Sequence, residues 1–214
     1  PHSPMQVPDK YWDKFSHMDP VMKNDKPEEE DLGMTRAALA MCENIDWNVG
    51  RVLKKLEDLK LAGDTIVLYL SDNGPASARW NGGMRGRKGS TDEGGVRSPL
   101  MVRWPGRIAG GTKVTQIAGA IDLLPTLAEM AGVKVDSKMA LDGKSVMPLL
   151  TGKGGADWPD RMIFSTNNKK VSVRTQQYRL DDQGRLYDMV ADPGQTRDIG
   201  ASEPAVAARL KKAV

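Results

Sequence analysis

Two neighbouring polar residues, Asp72 and Asn73, follow Ser71 at the end of a short apolar run at positions 65–70. Carboxylate and amide oxygens are hard ligands that suit Ca²⁺ or Mg²⁺. Polar residues at the carboxyl end of a buried strand lie where α/β folds place their ligands. Asp-Asn-Gly is also a common turn sequence, so a metal site and a plain turn both remain open. Calcium takes about six to eight oxygens, so most ligands of such a site would have to come from elsewhere.

Lys88 lies among glycines and arginines at positions 85–89. Glycines allow backbone N–H groups to approach an anion closely. A lysine ammonium can bind one sulfate or phosphate oxygen and can protonate a leaving group. A basic loop that is simply solvated is the alternative interpretation of the same composition.

His2 and Cys42 are the remaining side chains whose chemistry needs consideration. His2 lies between Pro1 and Pro4, which would restrict its backbone, although a lone histidine is more often structural than catalytic. Cys42 lies within a predicted helix, and we expect it to be a small buried apolar residue. As the single cysteine, it excludes a disulfide within the chain.

Charge and hydropathy exclude two classes of partner. The net charge is only +3, and the basic residues are scattered among acidic ones, so we expect no nucleic-acid binding. No apolar run approaches the roughly 18 residues of a membrane-spanning helix, so we expect no membrane span. No signal peptide is visible at the start of the chain.

The elements that must position these residues follow from hydrophobic periodicity and from turn signals. Prolines at positions 1, 4, 8 and 20 predict an irregular, extended segment over residues 1–27. Residues 65–70 predict a strand buried on both faces, as in a parallel sheet, and residues 74–97 a long glycine-rich loop. The other predicted helices are 28–61, 121–130, 145–150 and 204–212, and the other predicted strands are 100–104, 162–165, 171–175, 178–180 and 185–188.

Several segments, taken in order, resemble the type I sulfatases, the formylglycine-dependent branch of the alkaline phosphatase superfamily. The segments are residues 1–4, 45–50, 71–74, 85–89, 93–99, 104–106, 121–126, 141–145, 186–188 and 192–193, which together extend over essentially the whole chain. The resemblance implies an α/β fold: residues 1–155 would form the C-terminal part of a parallel or mixed sheet flanked by helices. Residues 156–214 would form a small antiparallel sheet with a closing helix.

The resemblance also implies roles for individual residues. Asp72 and Asn73 would be two of the ligands of a calcium ion, with Mg²⁺ as the other suitable cation. Lys88 would bind the sulfate and help to protonate the leaving alcohol or phenol. His2 would contact the sulfate or the leaving-group oxygen. The reaction implied is hydrolysis of an aryl or carbohydrate sulfate ester, in a periplasmic or extracellular compartment.

One departure from the family pattern is large. The Cys/Ser-x-Pro/Ala-x-Arg motif that becomes formylglycine is not found, since Cys42 is followed by neither the Pro/Ala nor the Arg. The early aspartate pair of the metal site is not found either. We therefore expect the chain to begin midway through its protein, to need the N-terminal half as its partner, and to be inactive alone. Hydrolysis of phosphate or phosphonate esters, and a catalytically inactive sulfatase-like module, are the alternatives.

Overall fold

A computed structural model describes residues 1–21, 24–155 and 158–214 of the chain. The described residues form two compact units. The first contains residues 1–104 and 192–196, and the second contains residues 105–191 and 197–214. The predicted domain boundary between residues 155 and 156 falls at 156–157, which lie outside the described residues, and it stays a prediction.

Two helices precede the first strand of the first unit. Helix α1 (Asp9–Phe15) corrects the prediction of an extended segment: Pro8 stands at its N-cap, where a proline breaks no helical hydrogen bond. Helix α2 (Leu32–Asp58) begins later than predicted because the Asp31 carboxylate caps it, accepting a hydrogen bond of 3.0 Å from the Met34 N–H. Helix α1 packs against α2, where Tyr11 and Ala40 are buried.

Strands β1 (Val67–Leu70) and β2 (Leu100–Arg103) pair antiparallel, with Leu70 opposite Leu100. The expectation that β1 is buried on both faces, in the manner of a parallel strand, is wrong for the described chain. Leu70 is 46% exposed and Leu100 is 42% exposed. An apolar run does not specify the direction of the neighbouring strand or how much of the run is covered, so neither could be predicted from it.

A groove of about 330 Å³ runs between α2 and the β1–β2 pair. Cys42 lines it together with Val49, Tyr69 and Met101. The prediction that Cys42 is buried is therefore wrong: the groove is open and the cysteine is exposed.

The second unit contains a four-stranded antiparallel sheet whose strands are neighbours in the order in which they follow along the chain. Its core consists of side chains from the sheet and the last helix: Val173, Leu180, Leu186, Ala207 and Leu210. The predicted antiparallel sheet with a closing helix is thus confirmed. The elements are α4 (Leu123–Met130), α5 (Met147–Leu150), β3 (Ile163–Asn167), β4 (Lys170–Arg174), β5 (Tyr178–Leu180), β6 (Leu186–Asp188) and α6 (Pro204–Ala213).

Asp122 joins three separate stretches of the second unit. Its side chain is 2% exposed, and it accepts hydrogen bonds from the backbone N–H groups of Gly119 at 2.9 Å and Lys144 at 2.7 Å. The Arg161 guanidinium lies 2.7 Å from the same carboxylate. A buried charge is tolerated only when it is paired and hydrogen-bonded, and Asp122 meets both conditions.

Replacing Asp122 with alanine is expected to destabilise the chain by about 3–5 kcal/mol, because the Arg161 charge would remain buried without its partner. Urea denaturation followed by circular dichroism measures the change in the free energy of unfolding. Asp160→Ala is the matched control, since Asp160 forms an exposed pair with Arg209 at 3.5 Å. That change should cost about 0–1 kcal/mol, and equal losses in the two variants would contradict the assignment.

Candidate functional site

The end of β1 lies directly against a short helix, α3 (Glu93–Val96). The Gly74 N–H donates a hydrogen bond of 2.9 Å to the Gly95 carbonyl oxygen. A Cβ atom placed on Gly74 would lie 1.8 Å from the Gly94 carbonyl oxygen. Only glycine allows the two backbones to approach this closely, so the turn at residues 71–74 is held against α3 by main-chain contact.

The basic loop, residues 79–92, also packs against this helix. A Cβ on Gly94 would lie 2.3 Å from the Gly86 carbonyl oxygen, and one on Gly95 would lie 2.4 Å from the Ser90 carbonyl oxygen. The Gly94 N–H donates to the Arg85 carbonyl at 2.8 Å. Helix α3 is therefore enclosed between the strand end and the loop, and its glycines are what make both contacts fit.

Lys88 is connected by its backbone to the segment that follows Asp72 and Asn73. Its N–H donates a hydrogen bond of 2.8 Å to the carbonyl oxygen of Pro75. The loop is closed further back by Asn81, which is buried and donates from its amide to the Met84 carbonyl at 2.7 Å. The loop that carries Lys88 and the segment that follows Asp72 and Asn73 are therefore in contact in the structure.

The basic residues of the loop differ in what they bind. Arg79 donates to the Ser77 hydroxyl at 2.8 Å, Arg85 lies 3.5 Å from the Asp92 carboxylate, and Arg87 lies 2.9 Å from the Glu29 carboxylate. Burial lowers the pKa of Arg79 from its ordinary value, and the nearby Glu30 and Asp31 carboxylates oppose this effect. The Lys88 ammonium makes no hydrogen bond or ion pair with any residue in the described ranges, and it is exposed.

The two predicted metal ligands are accessible. Asp72 is exposed and Asn73 is half-buried, and within the described part of the chain neither side chain has a hydrogen-bonding partner. Their hard oxygen donors fit Ca²⁺ or Mg²⁺, but residues 1–21, 24–155 and 158–214 hold no group of three or more His, Cys, Asp or Glu suited to a metal ion.

His2 stands apart from the other predicted site residues. It is exposed, and its ring Nδ1 lies 3.0 Å from the Ser3 carbonyl oxygen. Among the described residues, no hydrogen bond joins its ring to Asp72, Asn73 or Lys88. Its assignment to the site stays a prediction.

Gln195 was missed by the sequence analysis. It is 2% exposed and contacts the loop from about a hundred positions further along the chain. Its amide oxygen accepts from the Glu93 N–H at 2.8 Å, and its amide nitrogen donates to Asp92 at 3.0 Å. The neighbouring Asp192-Pro193 pair belonged to the family resemblance, but nothing local in the sequence indicates that residue 195 is buried there.

The chain matches two family models. One, described as Sulfatase, matches residues 1–133, and the other, described as N-sulphoglucosamine sulphohydrolase, C-terminal, matches residues 88–214. Arylsulfatase A of Bos taurus is 36% identical over 174 residues, which cover 75% of this chain and 34% of that protein. Steryl-sulfatase of Mus musculus is 42% identical over 120 residues, which cover 51% of this chain and 19% of that protein.

The fold is also that of a solved structure. The crystal structure of Ps i-CgsB is similar with a TM-score of 0.83 and 24% identity, over 100% of this chain and 47% of that one. The predicted α/β fold of the sulfatases is thereby confirmed. With a family model matching more than half of its residues, the chain belongs to the sulfatase family. It spans about a third of the arylsulfatase A that it matches.

No helix within the described ranges is long and apolar enough to cross a membrane.

Replacing Gly94 with alanine is expected to displace the basic loop, because the new methyl group would lie 2.3 Å from a backbone carbonyl oxygen that cannot rotate away. The expected cost is about 1–3 kcal/mol in the free energy of unfolding, as for other overpacked sites. Amide hydrogen exchange within residues 81–95 should accelerate at the same time.

Gly50→Ala is the matched control, since Gly50 lies within α2 and a Cβ there meets nothing within 4 Å. That variant should be more stable by about 0.5–1 kcal/mol, because alanine is the better helix former. Similar stability changes in the two variants would show that α3 is not enclosed as described.

Proposed function

We propose that this chain is part of a sulfatase that hydrolyses an aryl or carbohydrate sulfate ester, and that it supplies the leaving-group side of the active site. The observation that carries the proposal is the placement of Lys88. Its ammonium group has no partner among the described residues, while its backbone is bonded to the segment that follows Asp72 and Asn73. A sulfate ester bound here would meet the Lys88 ammonium group and a divalent cation held by Asp72 and Asn73.

Lys88 can act on the substrate in two ways. Its ammonium group can bind a sulfate oxygen, which neutralises charge in both the bound substrate and the transition state. It can also donate a proton to the ester oxygen as the S–O bond breaks, which removes the need to expel an alkoxide. The second role acts only in the transition state and therefore raises kcat.

Asp72 and Asn73 would hold a divalent cation, Ca²⁺ or Mg²⁺, through their hard oxygen donors, and the remaining ligands of the cation would come from elsewhere. The bound cation would act as a Lewis acid on the sulfate oxygens. A formylglycine in another part of the protein would supply the nucleophile. His2, which is exposed, would contribute a contact to the sulfate or to the leaving-group oxygen.

The remaining ligands and the nucleophile would come from the N-terminal half of the same protein. Three facts support this part of the proposal: the chain spans 34% of the arylsulfatase A that it matches, the formylglycine motif is missing from it, and Leu70 and Leu100 are exposed on the β1–β2 pair. Export to the periplasm or the outside of the cell belongs to the same proposal.

In the complete protein, Lys88→Met is expected to lower kcat/KM for an aryl sulfate about 100- to 1000-fold, because methionine keeps an unbranched side chain of nearly the same length but removes the charge and the proton. The loss should be larger for a sugar sulfate than for an aryl sulfate, since an alcohol is a poorer leaving group and depends more on protonation. Release of inorganic sulfate measures both.

Lys153→Met is the matched control. Lys153 is also an exposed lysine flanked by glycine, but it lies in the second unit. That change should leave turnover unaltered. Equal losses for aryl and sugar sulfates would contradict proton donation by Lys88, and faster turnover of an aryl phosphate than of the aryl sulfate would favour a phosphate or phosphonate ester hydrolase.

The chain alone is expected to bind Ca²⁺ weakly and to release no sulfate, since two ligands cannot replace the hydration shell of the ion. Isothermal titration with CaCl₂ gives the dissociation constant, and Asp72→Asn should abolish the remaining binding. A submicromolar dissociation constant, or sulfate release by the isolated chain, would show that the site is complete without further residues.

A further inference from the structure

The segment 192–196 belongs to the first unit although its neighbours along the chain belong to the second. Asp192 organises it as a turn: its carbonyl accepts from the Gln195 N–H at 3.1 Å, and its carboxylate accepts from the Thr196 N–H at 2.7 Å. Gly194 packs against the basic loop, where a Cβ would lie 3.0 Å from the Gly83 carbonyl oxygen. The segment is thus an ordered turn that packs against the basic loop.

Gln195 has a backbone conformation that a glutamine seldom adopts. Its φ is +54°, in the left-handed region, which costs about 1–3 kcal/mol for a residue with a side chain. This conformation persists where the surroundings require it. Here it accompanies a side chain that is 2% exposed and fully engaged with the loop.

Gln195 joins the two ends of the basic loop, one end through its side chain and the other through its backbone carbonyl. Its Oε1 accepts from the Glu93 N–H at 2.8 Å, and its Nε2 donates to the Asp92 carboxylate at 3.0 Å. Its backbone carbonyl accepts from the Arg85 guanidinium at 3.3 Å. Arg85 precedes Lys88 by three residues and Asp92 follows it by four, so Gln195 fixes both flanks of the segment that carries the lysine.

We propose that Gln195 is the positioning residue for Lys88: it holds both ends of the lysine loop and thereby orients the ammonium group toward the sulfate ester. This inference rests on the proposed function. The role requires an amide at position 195, because the side chain must accept a hydrogen bond from the Glu93 N–H and donate one to the Asp92 carboxylate. Displacements of about 1 Å at a reacting group can cost about 100-fold in rate, so loss of the contact should be visible in turnover.

The decisive experiment compares two variants of the complete protein. Gln195→Met keeps the volume of the side chain but makes neither hydrogen bond, and it should lower kcat about 10- to 100-fold with a smaller change in KM. Gln195→Glu keeps the acceptor for Glu93 but places a second carboxyl group beside Asp92. Like charges raise the apparent pKa of such a pair.

The sign of the pH effect follows from that raised pKa. At pH values below this pKa, the two carboxyl groups share a proton, which restores a hydrogen-bond donor toward Asp92. At pH values above it, both groups are charged, they repel each other, and the loop is no longer held. Turnover by Gln195→Glu, relative to wild type, should therefore fall as pH rises. The charged groups facing this pair are Arg85, Asp92, Glu93 with its partner Arg97, and Asp192.

Hydrogen exchange gives a readout that does not depend on turnover. In Gln195→Met, the amides of residues 82–95 should exchange faster, while those of strands β3–β6 should not change. Gln183→Met is the matched control, since Gln183 is exposed and makes no side-chain hydrogen bond with a described residue. It should leave both exchange and turnover unaltered.

Wild-type exchange in Gln195→Met, faster exchange with full turnover, or a pH profile of Gln195→Glu parallel to wild type would each overturn the positioning role. If Gln195→Met does not fold, Gln195→Gly removes the same contacts while relieving the backbone strain. Absence of sulfate release by the wild-type protein would contradict the proposed function, and hydrogen exchange would still decide whether Gln195 holds the loop.

Discussion

The candidate site depends on backbone contact between glycines. Gly74 meets Gly94, and Gly94 meets Gly86, at distances that leave no room for a Cβ atom. Because no side chains intervene, the strand end, helix α3 and the basic loop form one packed stack of main chain. Each of these close contacts is accompanied by a backbone hydrogen bond, so the polar groups brought together are also satisfied. Shape and hydrogen bonding thus impose the same arrangement on Asp72, Asn73 and Lys88.

The arginines and the lysine of the basic loop differ in whether they have a charged partner. Arg85 and Arg87 lie beside carboxylates, where they tie the loop to Asp92 and to Glu29. An arginine is suited to that role because its planar group makes several directed hydrogen bonds and never loses its proton. A lysine is a compact charge that can transfer a proton. In the described chain, Arg85 and Arg87 are thus paired with carboxylates, whereas the Lys88 ammonium has no described partner.

Local patterns account for what could be predicted. The strands of the second unit are short runs bounded by turns, and β5 and α6 were located to within a residue because the signals of strands, turns and helix ends are short-range. The residue types of Asp72, Asn73 and Lys88 identified the candidate chemistry. The pairing direction of β1 could not be predicted, since an apolar run is compatible with parallel and with antiparallel neighbours. The burial of Gln195 could not be predicted either, because nothing in a polar turn indicates that its glutamine packs against residues about a hundred positions away.

The two units are stabilised by different kinds of interaction, which bears on how the site tolerates change. The second unit has an apolar core of Val173, Leu186 and Leu210, where truncation to alanine costs about 2–5 kcal/mol wherever it occurs. The loop of the first unit is held by backbone contacts and by a few polar groups, each contributing about 1 kcal/mol. A lost hydrogen bond there is small beside the total stability of a domain. Orientation of Lys88 can therefore be lost while the chain stays folded, because the geometry of the loop rests on fewer and weaker interactions than the fold does.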